Sequence, residues 1–269
     1  MHPQQEFPHY IEFRHVYKTF DKPVLVDSNF YIDAGETIAI IGRSGVGKSV
    51  SLGHIMGFLK PDAGQVFVSY TDITHASEAE LRRIRKKVTM VFQSGALFDS
   101  MTVEENVLFS LELRDDYDEE NKDEIVKGLL EMVGLEEYGE SYPHDLSTGH
   151  RRAVAIARAL AAQPDCILYD EPTTMVDPIM SSTMTELMKA LKAELKLTSV
   201  VVTHDLDSSL KIADRVVVIS EGQVYRDLTP DEVRQTDDLF VRQFADGLPD
   251  GPVPFHYPAP PFLDQLRGA

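Results

Sequence analysis

The chain has 269 residues, of which 43% are hydrophobic and 26% are charged, a composition typical of a folded protein of one or two domains. Its formal net charge of −18 should repel phosphate backbones and anionic lipid headgroups. This argues against nucleic-acid binding and predicts that any membrane attachment uses a protein partner, unless the acidity serves only to keep the surface well solvated.

No apolar run approaches the ~20 residues that a membrane-spanning helix requires. The first ten residues, MHPQQEFPHY, also lack the cationic and apolar regions of a signal peptide. The single cysteine, Cys166, excludes an internal disulfide and is predicted to be a buried residue in a strand. These features together are typical of a protein from a reducing cytoplasm.

The first predicted elements are strands. Residues 10–20 and 24–32 have strand-like patterns and predict an antiparallel β layer, which ends at the turn Asp33-Ala34-Gly35. The next stretch, Thr37–Ile41, is short, apolar and rich in β-branched residues, as in a buried strand.

A phosphate-binding loop follows this strand. The run Gly42-Arg43-Ser44-Gly45-Val46-Gly47-Lys48-Ser49 matches the pattern G-x-x-x-x-G-K-[ST], and a helix is predicted to begin there. Glycines allow the backbone N–H groups to converge on an anion at the helix N-terminus. Lys48 should reach the β- and γ-phosphates, and Ser49 should hold Mg²⁺. The alternative is a glycine-rich turn without a ligand, but the strand before the motif favours the phosphate site.

After the loop, the pattern predicts a helix over 50–59, a strand over 65–70 and a basic helix over 77–87. The positive charges of that last helix favour a solvated face over a binding patch. A buried strand over 88–92 leads into Gln93. From 94 to about 164 the pattern is helical, with a capping box at Thr102, an amphipathic stretch over 119–133 and an alanine-rich helix over 151–162. We therefore predict a helical subdomain over about 94–164, inserted into an α/β core.

The core resumes with a strand over 166–169 that ends at Asp170-Glu171. Helices are predicted over 180–195 and 206–213, and strands over 199–203, 215–219 and 223–225. Strands that alternate with helices predict a parallel sheet covered on both faces. From about 245 to 269 the chain is rich in proline and predicts an extended arm. A disordered end is the alternative, and the large apolar residues Phe255, Tyr257 and Phe262 argue for docking on a partner.

Three polar residues stand where predicted core strands end. Asp170 supplies a carboxylate to manage Mg²⁺, and Glu171 beside it can orient or deprotonate a water that attacks the γ-phosphate. His204 ends the neighbouring strand, where open α/β sheets place their ligands. It could donate a hydrogen bond to the γ-phosphate and hold the attacking water.

Taken in order, the motifs resemble those of the ATP-binding subunits of ABC transporters, over roughly residues 10–230. The set is the loop 42–49, Gln93, Leu146-Ser147-Thr148-Gly149-His150, the strand ending at Asp170 with Glu171, Asp177, and His204. The resemblance implies a P-loop NTPase (RecA-like) fold of the α/β class, with a parallel-sheet core, an antiparallel β layer and the inserted α-helical subdomain. It also implies an ABC ATPase domain over 10–244, followed by the proline-rich C-terminal arm over 245–269.

The resemblance implies roles for individual residues as well. ATP contacts are implied for Phe20, Gly42, Arg43, Ser44, Gly45, Val46, Gly47, Lys48, Ser49, Val50, Ser147, Gly149 and Asp177. Phe20 would stack on adenine; the alternatives are that Tyr17 takes this role or that both are ordinary core residues. Catalysis would use Glu171, His204, Gln93 and Lys48, and Mg²⁺ would be held by Ser49, Gln93 and Asp170. Because Ser147 and Gly149 would contact ATP bound to a second copy, the resemblance implies a homodimer that encloses two ATPs.

One motif departs from the family pattern. The family has LSGGQ, whereas this chain has LSTGH at 146–150. Thr148 would cost about 1 kcal/mol if its position required a positive φ. His150 introduces a group that titrates near neutrality. The variant motif therefore predicts slow or pH-sensitive hydrolysis.

Two further stretches narrow the resemblance to the ATPase subunits of Mla phospholipid-transport systems: FQSGALF at 92–98 and DGPVPF at 250–255. That resemblance implies an enzyme on the cytoplasmic side of the bacterial inner membrane, attached through a multi-pass permease (MlaE-like). A periplasmic MCE-type lipid-binding protein (MlaD-like) and, as an option, a small accessory cytoplasmic subunit would complete the complex. The alternatives are the ATPase of another importer, such as an amino-acid importer, and a non-transport ABC protein of DNA repair or translation.

Overall fold

The computed structural model describes residues 7–114 and 116–253. The chain divides into two compact units, Met1–Pro230 and Asp231–Ala269. The strands within the described residues are β1 (Ile11–Thr19), β2 (Pro23–Ile32), β3 (Thr37–Ile41), β4 (Ala63–Val68), β5 (Thr71–Asp72), β6 (Val88–Val91), β7 (Cys166–Asp170), β8 (Thr198–Val202), β9 (Arg215–Ser220) and β10 (Gln223–Leu228). The helices are α1 (Lys48–Ile55), α2 (Glu78–Lys87), α3 (Val103–Glu112), α4 (Lys122–Met132), α5 (Thr148–Ala161), α6 (Pro178–Leu195), α7 (Leu206–Ile212), α8 (Pro230–Gln235) and α9 (Leu239–Ala245).

The predicted antiparallel layer is a four-stranded sheet in the order β2-β1-β4-β5. The sequence prediction of a strand over 65–70 is wrong at its end. Ser69 and Tyr70 have φ values of 50° and 59°. They form the tight turn that connects β4 to β5, which pairs with β4 in the antiparallel direction. The hydrophobic pattern of Tyr70 resembled strand, but its ring instead packs edge-on against Tyr10.

The second sheet is the predicted parallel core, in the order β10-β9-β3-β8-β7-β6. Only β10 is antiparallel to its neighbour. Every residue of β3 and of β8 is buried, as expected for strands covered on both faces. Val202 pairs with Ile40 on one side and with Asp170 on the other. The sheet therefore brings the carboxyl ends of β3, β7 and β8 to one edge, where the loops with the polar motifs begin.

Helices α3, α4 and α5 share a core of their own, which includes Val107, Leu130 and Val154. The capping box at Thr102 is present and starts α3 as predicted. Asn106 is fully buried and binds the loop before α3, because its amide donates to the carbonyls of three residues and accepts from the N–H of Phe98 at 2.8 Å. The helical region therefore has its own hydrophobic core beside the sheet.

Several helix ends differ from the sequence prediction. Helix α1 ends at Ile55 and not at Leu59, because Gly57 takes φ 66° and the chain turns back to the carbonyl of Gly53. Helix α5 begins at Thr148, three residues before the predicted start, because Ser147 caps it. Cys166 lies in β7 with no exposed surface, as predicted.

The second unit has α9 as its main described element. The amide of Gln243 on α9 bonds both the N–H and the carbonyl of Val253, at 2.8 and 3.0 Å. Residues 246–253 therefore fold back along α9, and this part of the arm is not extended as predicted. Phe255, Tyr257 and Phe262 lie outside the described residues. Within the part of the chain that is described, no helix has the length and apolarity to cross a bilayer.

Candidate functional site

The loop between β3 and α1 has a backbone that only glycine can adopt at two positions. Gly47 takes φ 108°, and a Cβ there would lie 2.6 Å from a methyl group of Leu25 and 2.9 Å from the carbonyl oxygen of Val24. A Cβ on Gly42 would overlap the carbonyl of Ile219. Helix α1 begins at Lys48, so its free N–H groups face the space that the loop encloses. The loop is thus shaped to bind an anion.

Lys48 is 6% exposed and its ammonium group points into the loop. It donates to the carbonyls of Gly42 at 2.9 Å and Arg43 at 3.1 Å, and it lies 3.3 Å from Nε2 of His204. Burial lowers the pKa of Lys48, although the nearby carboxylates of Glu171 and Asp170 oppose that shift. A bound phosphate would supply the negative charge that this buried cation needs.

Ser49, at the start of α1, and Asp170, at the end of β7, bring two oxygen atoms together that could bind a metal ion. The Ser49 hydroxyl donates to Oδ1 of Asp170 at 3.0 Å. Burial raises the pKa of Asp170, with Lys48 and Arg152 acting in the opposite direction. Hydroxyl and carboxylate oxygens suit Mg²⁺, which keeps waters and substrate oxygens as its other ligands. Among the residues described, no group of three or more His, Cys, Asp or Glu side chains is placed to hold a metal ion.

Glu171 is held in a strained but well-supported position. Its φ of 51° is in the left-handed region, which costs about 1–2 kcal/mol for a residue with a side chain. Its N–H donates to the carbonyl of Val202 at 2.8 Å, and its carboxylate accepts from the hydroxyl of Thr174 at 2.8 Å. The residue is 8% exposed. Such strain persists only where surrounding contacts fix the backbone, and it is common at active sites.

His204 connects the two charged groups. Its Nε2 lies 3.1 Å from Oε1 of Glu171 and 3.3 Å from Nζ of Lys48. One ring nitrogen can donate to the carboxylate or accept from the ammonium, but it cannot do both. A phosphate that draws the Lys48 ammonium toward itself would therefore leave the Nε2 proton for Glu171.

Lys48, Ser49, Glu171 and His204 line one cavity of about 480 Å³, and Asp170 lines the cleft next to it. The lining of the cavity includes most of the loop together with Gln93, Glu171 and His204, all of which the sequence had marked as site residues. The described residues that line it are Val24, Ser44, Gly45, Gly47, Lys48, Ser49, Val50, Gln93, Glu171, Thr174 and His204. Neither Phe20 nor Tyr17 is among them. Phe20 is 53% exposed, with the ammonium of Lys18 5.5 Å from its ring centre.

Gln93 lies at the boundary of two cavities. It lines the loop cavity and also a larger cleft of about 1000 Å³ beside the helical region, which Phe92 and Leu97 line as well. The side chain is exposed. It is thus placed to contact both a ligand in the first cavity and whatever occupies the second.

Several predicted site residues do not line the loop cavity: Phe20, Gly42, Arg43, Val46, Asp170, Ser147, Gly149 and Asp177. The last three lie at the starts of α5 and α6. Ser147 caps α5 by accepting from the N–H of His150 at 3.1 Å. Gly149 packs on Met180 of α6, where an added Cβ would lie 3.1 Å from three of its carbons. Asp177 caps α6 by accepting from the N–H groups of Ile179 and Met180. A role for Ser147, Gly149 and Asp177 at a nucleotide therefore requires a second copy of the chain.

Thr148, which replaces the glycine of the family motif, does not strain the backbone. Thr148 is the first residue of α5 and has no positive φ. Its hydroxyl accepts from the guanidinium of Arg151 at 3.2 Å. The ring of His150 lies 4.9 Å from that of Tyr138. The threonine is accommodated, and the effect of His150 on hydrolysis stays a prediction.

Sequence reasoning missed two residues that support Glu171. Thr174 binds its carboxylate, and Arg152 on α5 binds the carbonyls of both Glu171 and Thr174. An arginine next to Arg151 in an alanine-rich helix resembles a solvated surface residue. No signal in the local pattern distinguished it, because its partners lie 19 and 22 residues further along the chain.

Comparisons with known proteins agree with this geometry. The family model described as ABC transporter matches residues 25–174. The intermembrane phospholipid transport system ATP-binding protein MlaF of Haemophilus influenzae is 39% identical, over 93% of this chain and 95% of that protein. The glycine betaine/proline betaine transport system ATP-binding protein ProV of Escherichia coli is 40% identical over 82% of this chain, which spans 56% of ProV.

Solved structures show the same fold. The dimeric, post-hydrolysis structure of the ATP-binding cassette MJ0796, bound to ADP and Pi, has a TM-score of 0.76 and 33% identity to this chain. It matches 82% of this chain and 98% of the cassette. The two-sheet core, the helical region and the loop at the end of β3 are therefore those of a nucleotide-binding cassette.

Proposed function

Because this chain belongs to the ABC transporter family, as an ATP-hydrolysing subunit, we propose that it powers phospholipid transport between the inner and outer membranes of a bacterium. The observation that carries this proposal is the extent of the match to MlaF. It covers 93% of this chain, and for MlaF of Escherichia coli 99%, whereas the match to ProV covers 82%. The likeness to MlaF thus continues through residues outside the part that importers share.

We propose that ATP binds at the loop between β3 and α1. The N–H groups of α1 and the ammonium of Lys48 would hold the β- and γ-phosphates. An arriving triphosphate would replace the carbonyl contacts that Lys48 makes with Gly42 and Arg43. The exposed ring of Phe20 is the proposed adenine contact, since it presents a face to solvent near β2 and lies outside the core.

Ser49 and Asp170 fit Mg²⁺ as a pair of hard oxygen ligands 3.0 Å apart; Gln93 lines the loop cavity with Ser49 and the adjoining cleft with Asp170. These residues would hold Mg²⁺, and the ion would supply positive charge that stabilises the developing charge of the phosphoryl group. The chain itself then needs only to place a water and accept its proton.

Glu171 is the proposed base or orienting group for that water. Its carboxylate is aimed at the cavity by the hydroxyl of Thr174 and by the backbone N–H of His204, at 2.8 and 3.3 Å. Nε2 of His204 lies 3.1 Å from Oε1 of Glu171 and would donate either to this carboxylate or to the γ-phosphate. Catalysis here is positioning and electrostatic stabilisation by groups that are already in place.

We further propose that two copies complete each other's sites. The start of α5, with Ser147 and Gly149, would meet the γ-phosphate bound to the second copy, since a capped helix N-terminus favours an anion. ATP would then hold the dimer together and hydrolysis would release it. The dimeric state of the related cassette supports this arrangement.

The remaining partners follow from the likeness to MlaF. We propose a multi-pass permease at the cleft beside Gln93 and a periplasmic lipid-binding protein beyond it, with this chain on the cytoplasmic side of the inner membrane. The cleft is large, about 1000 Å³, and its lining includes the exposed ring of Phe92 together with Leu97. A helix end with apolar side chains would fit such a surface.

The proposal is tested by purifying the complex from native membranes and placing it in vesicles with a fluorescent phospholipid. We expect ATP to drive transfer of the lipid to a lipid-binding acceptor, and Glu171→Gln to stop transfer while ATP still binds. A complex that carries no phospholipid and whose ATPase responds to a soluble solute would contradict the lipid assignment.

A second candidate has a specific observation in its favour. ProV matches with 40% identity, no less than MlaF, so an importer of a small solute fits the shared cassette equally well. Stimulation of the ATPase by a betaine or an amino acid with its binding protein, and not by phospholipid, would select this candidate.

A further inference from the structure

Arg152 is buried in an unusual way. It is 2% exposed and is among the largest fully buried side chains of the described residues. Its Nη1 donates to the carbonyl of Glu171 at 2.5 Å and its Nη2 to the carbonyl of Thr174 at 2.9 Å, whereas Nε is buried without a partner. Among the residues described, it forms no ion pair with a carboxylate. A buried cation bonded only to backbone carbonyls is costly, so filling space in the core does not explain an arginine here.

The two carbonyls belong to the turn that presents Glu171. The carbonyl of Glu171 also accepts from the N–H of Thr174 at 3.3 Å, which closes the turn. The hydroxyl of Thr174 in turn holds the Glu171 carboxylate. The guanidinium therefore fixes both ends of the turn from behind, while the threonine fixes the side chain in front. Glu171 has a φ of 51°, a conformation that needs such support.

The position of Arg152 on α5 adds a second connection. It follows Ser147, the cap of this helix, by five residues, and Gly149 lies between them against Met180 of α6. Any displacement at the start of α5 is therefore transmitted through a short, packed segment to the turn that holds Glu171.

We propose that Arg152 is a positioning residue for hydrolysis: its two-pronged guanidinium ties the start of α5 to the turn that aims the Glu171 carboxylate. This rests on the proposed function, in which α5 meets the ATP of the second copy. Closure of two copies on ATP would then set Glu171 in each site through its own α5. Arg152 does not touch the nucleotide.

The test uses the full chain with Arg152→Gln and Arg152→Lys. The glutamine removes the charge, and the lysine keeps the charge but cannot bond two carbonyls in one plane. We expect both variants to bind ATP with wild-type affinity and to form the ATP-bound dimer. Single-turnover hydrolysis should fall between about tenfold and a hundredfold, as for a misplaced catalytic group. The lysine variant keeps the test valid if the glutamine variant does not fold.

The matched control is Val154→Ala. Val154 is fully buried on the same helix, so its truncation lowers stability without touching the turn. We expect it to lower the melting temperature and to leave single-turnover hydrolysis close to wild type. Hydrolysis at the wild-type rate in both Arg152 variants would overturn the inference. A fall in the hydrolysis rate that is fully explained by weaker ATP binding or by lower stability would also overturn it.

A double-mutant cycle gives the decisive readout. If Arg152 acts through Glu171, then Arg152→Gln should cause no further loss in a Glu171→Gln background. Losses that multiply in the double variant would overturn the inference. Failure of the proposed function is seen separately, because the wild-type chain would then show neither ATP-dependent dimers nor hydrolysis.

Discussion

Replacing Asp170 by asparagine should have opposite effects with and without nucleotide. Burial raises the folded-state pKa of Asp170 above its unfolded value of about 3.9. A carboxyl with a raised pKa favours the folded state at pH below the unfolded value, and that benefit is lost as the pH rises through the folded pKa. At pH 7.5 the ionised side chain is therefore a cost to folding. Asparagine removes the charge and can still accept from Ser49, so the nucleotide-free variant should melt at a higher temperature than wild type.

With nucleotide the order should reverse. A ligand at 100 times its dissociation constant stabilises a protein by about 2.7 kcal/mol, which corresponds to about 5–11 °C for a domain of this size. Wild type should show this shift with Mg²⁺ and a non-hydrolysable ATP analogue. Asp170→Asn should lose most of it, because the carboxylate ligand is gone.

The assay is a pair of thermal melts at pH 7.5, one with EDTA and one with Mg²⁺ and the analogue. Glu194→Gln is the matched control, since Glu194 is an exposed carboxylate outside the site, and it should change neither melt. A nucleotide-free Asp170→Asn protein that melts below wild type would refute the reasoning about burial. A full Mg²⁺-dependent shift in that variant would refute the proposed metal ligand.

Three further predictions follow from other parts of the site. Gly47→Ala should lose at least about 1 kcal/mol of unfolding free energy and its ATP affinity, because φ 108° is strained with a Cβ; urea melts and calorimetry check this. Lys48→Ala should abolish ATP binding without lowering nucleotide-free stability, measured by the same methods, since burial penalises its ammonium. Burial lowers the pKa of His54, so stability should fall below about pH 6.5 by up to about 1.4 kcal/mol per pH unit. In melts from pH 7.5 to 5.5, His54→Asn should lose less stability than wild type as the pH falls; an equal loss in both proteins would contradict this prediction.

The sequence was most informative where the site is built from adjacent residues. The loop 42–49, with a strand before it, fixes its own backbone, so its pattern could be recognised in one stretch. Asp170, Glu171 and His204 were predictable as a group because each ends a buried strand, and the carboxyl ends of parallel strands lie at one edge. The α/β class with its antiparallel layer and helical insertion followed from the same periodicities.

The sequence was least informative about contacts between distant segments. Arg152 had no local signal, because its partners are carbonyls on another loop. The turn at Ser69 and Tyr70 was missed because both residues have the pattern of a strand and neither is a glycine. The start of α5 was placed too late, since the pattern of its buried residues begins after its cap at Ser147. In each case tertiary packing decided between conformations that the local sequence allowed.

The fold-back of residues 246–253 has a similar explanation. Proline content predicted an extended arm, but a single side chain, Gln243, bonds both backbone groups of Val253. Such a bond depends on how α9 presents its surface and is not visible in composition. Whether the arm beyond it docks on a partner stays a prediction.

The central claim is that each ATP site is completed by a second copy, and mixing two inactive variants tests it most directly. Lys48→Ala should disable the loop of its own chain, and Ser147→Arg should disable the half-site that its chain donates. In a 1:1 mixture, half of the dimers should contain one chain of each variant. In such a dimer, the intact loop of the Ser147→Arg chain faces the intact half-site of the Lys48→Ala chain, so one of the two ATP sites is complete. ATPase activity should then return to about a quarter of the wild-type rate, because each mixed dimer has one such site of two. A mixture as inactive as either variant alone would contradict the account.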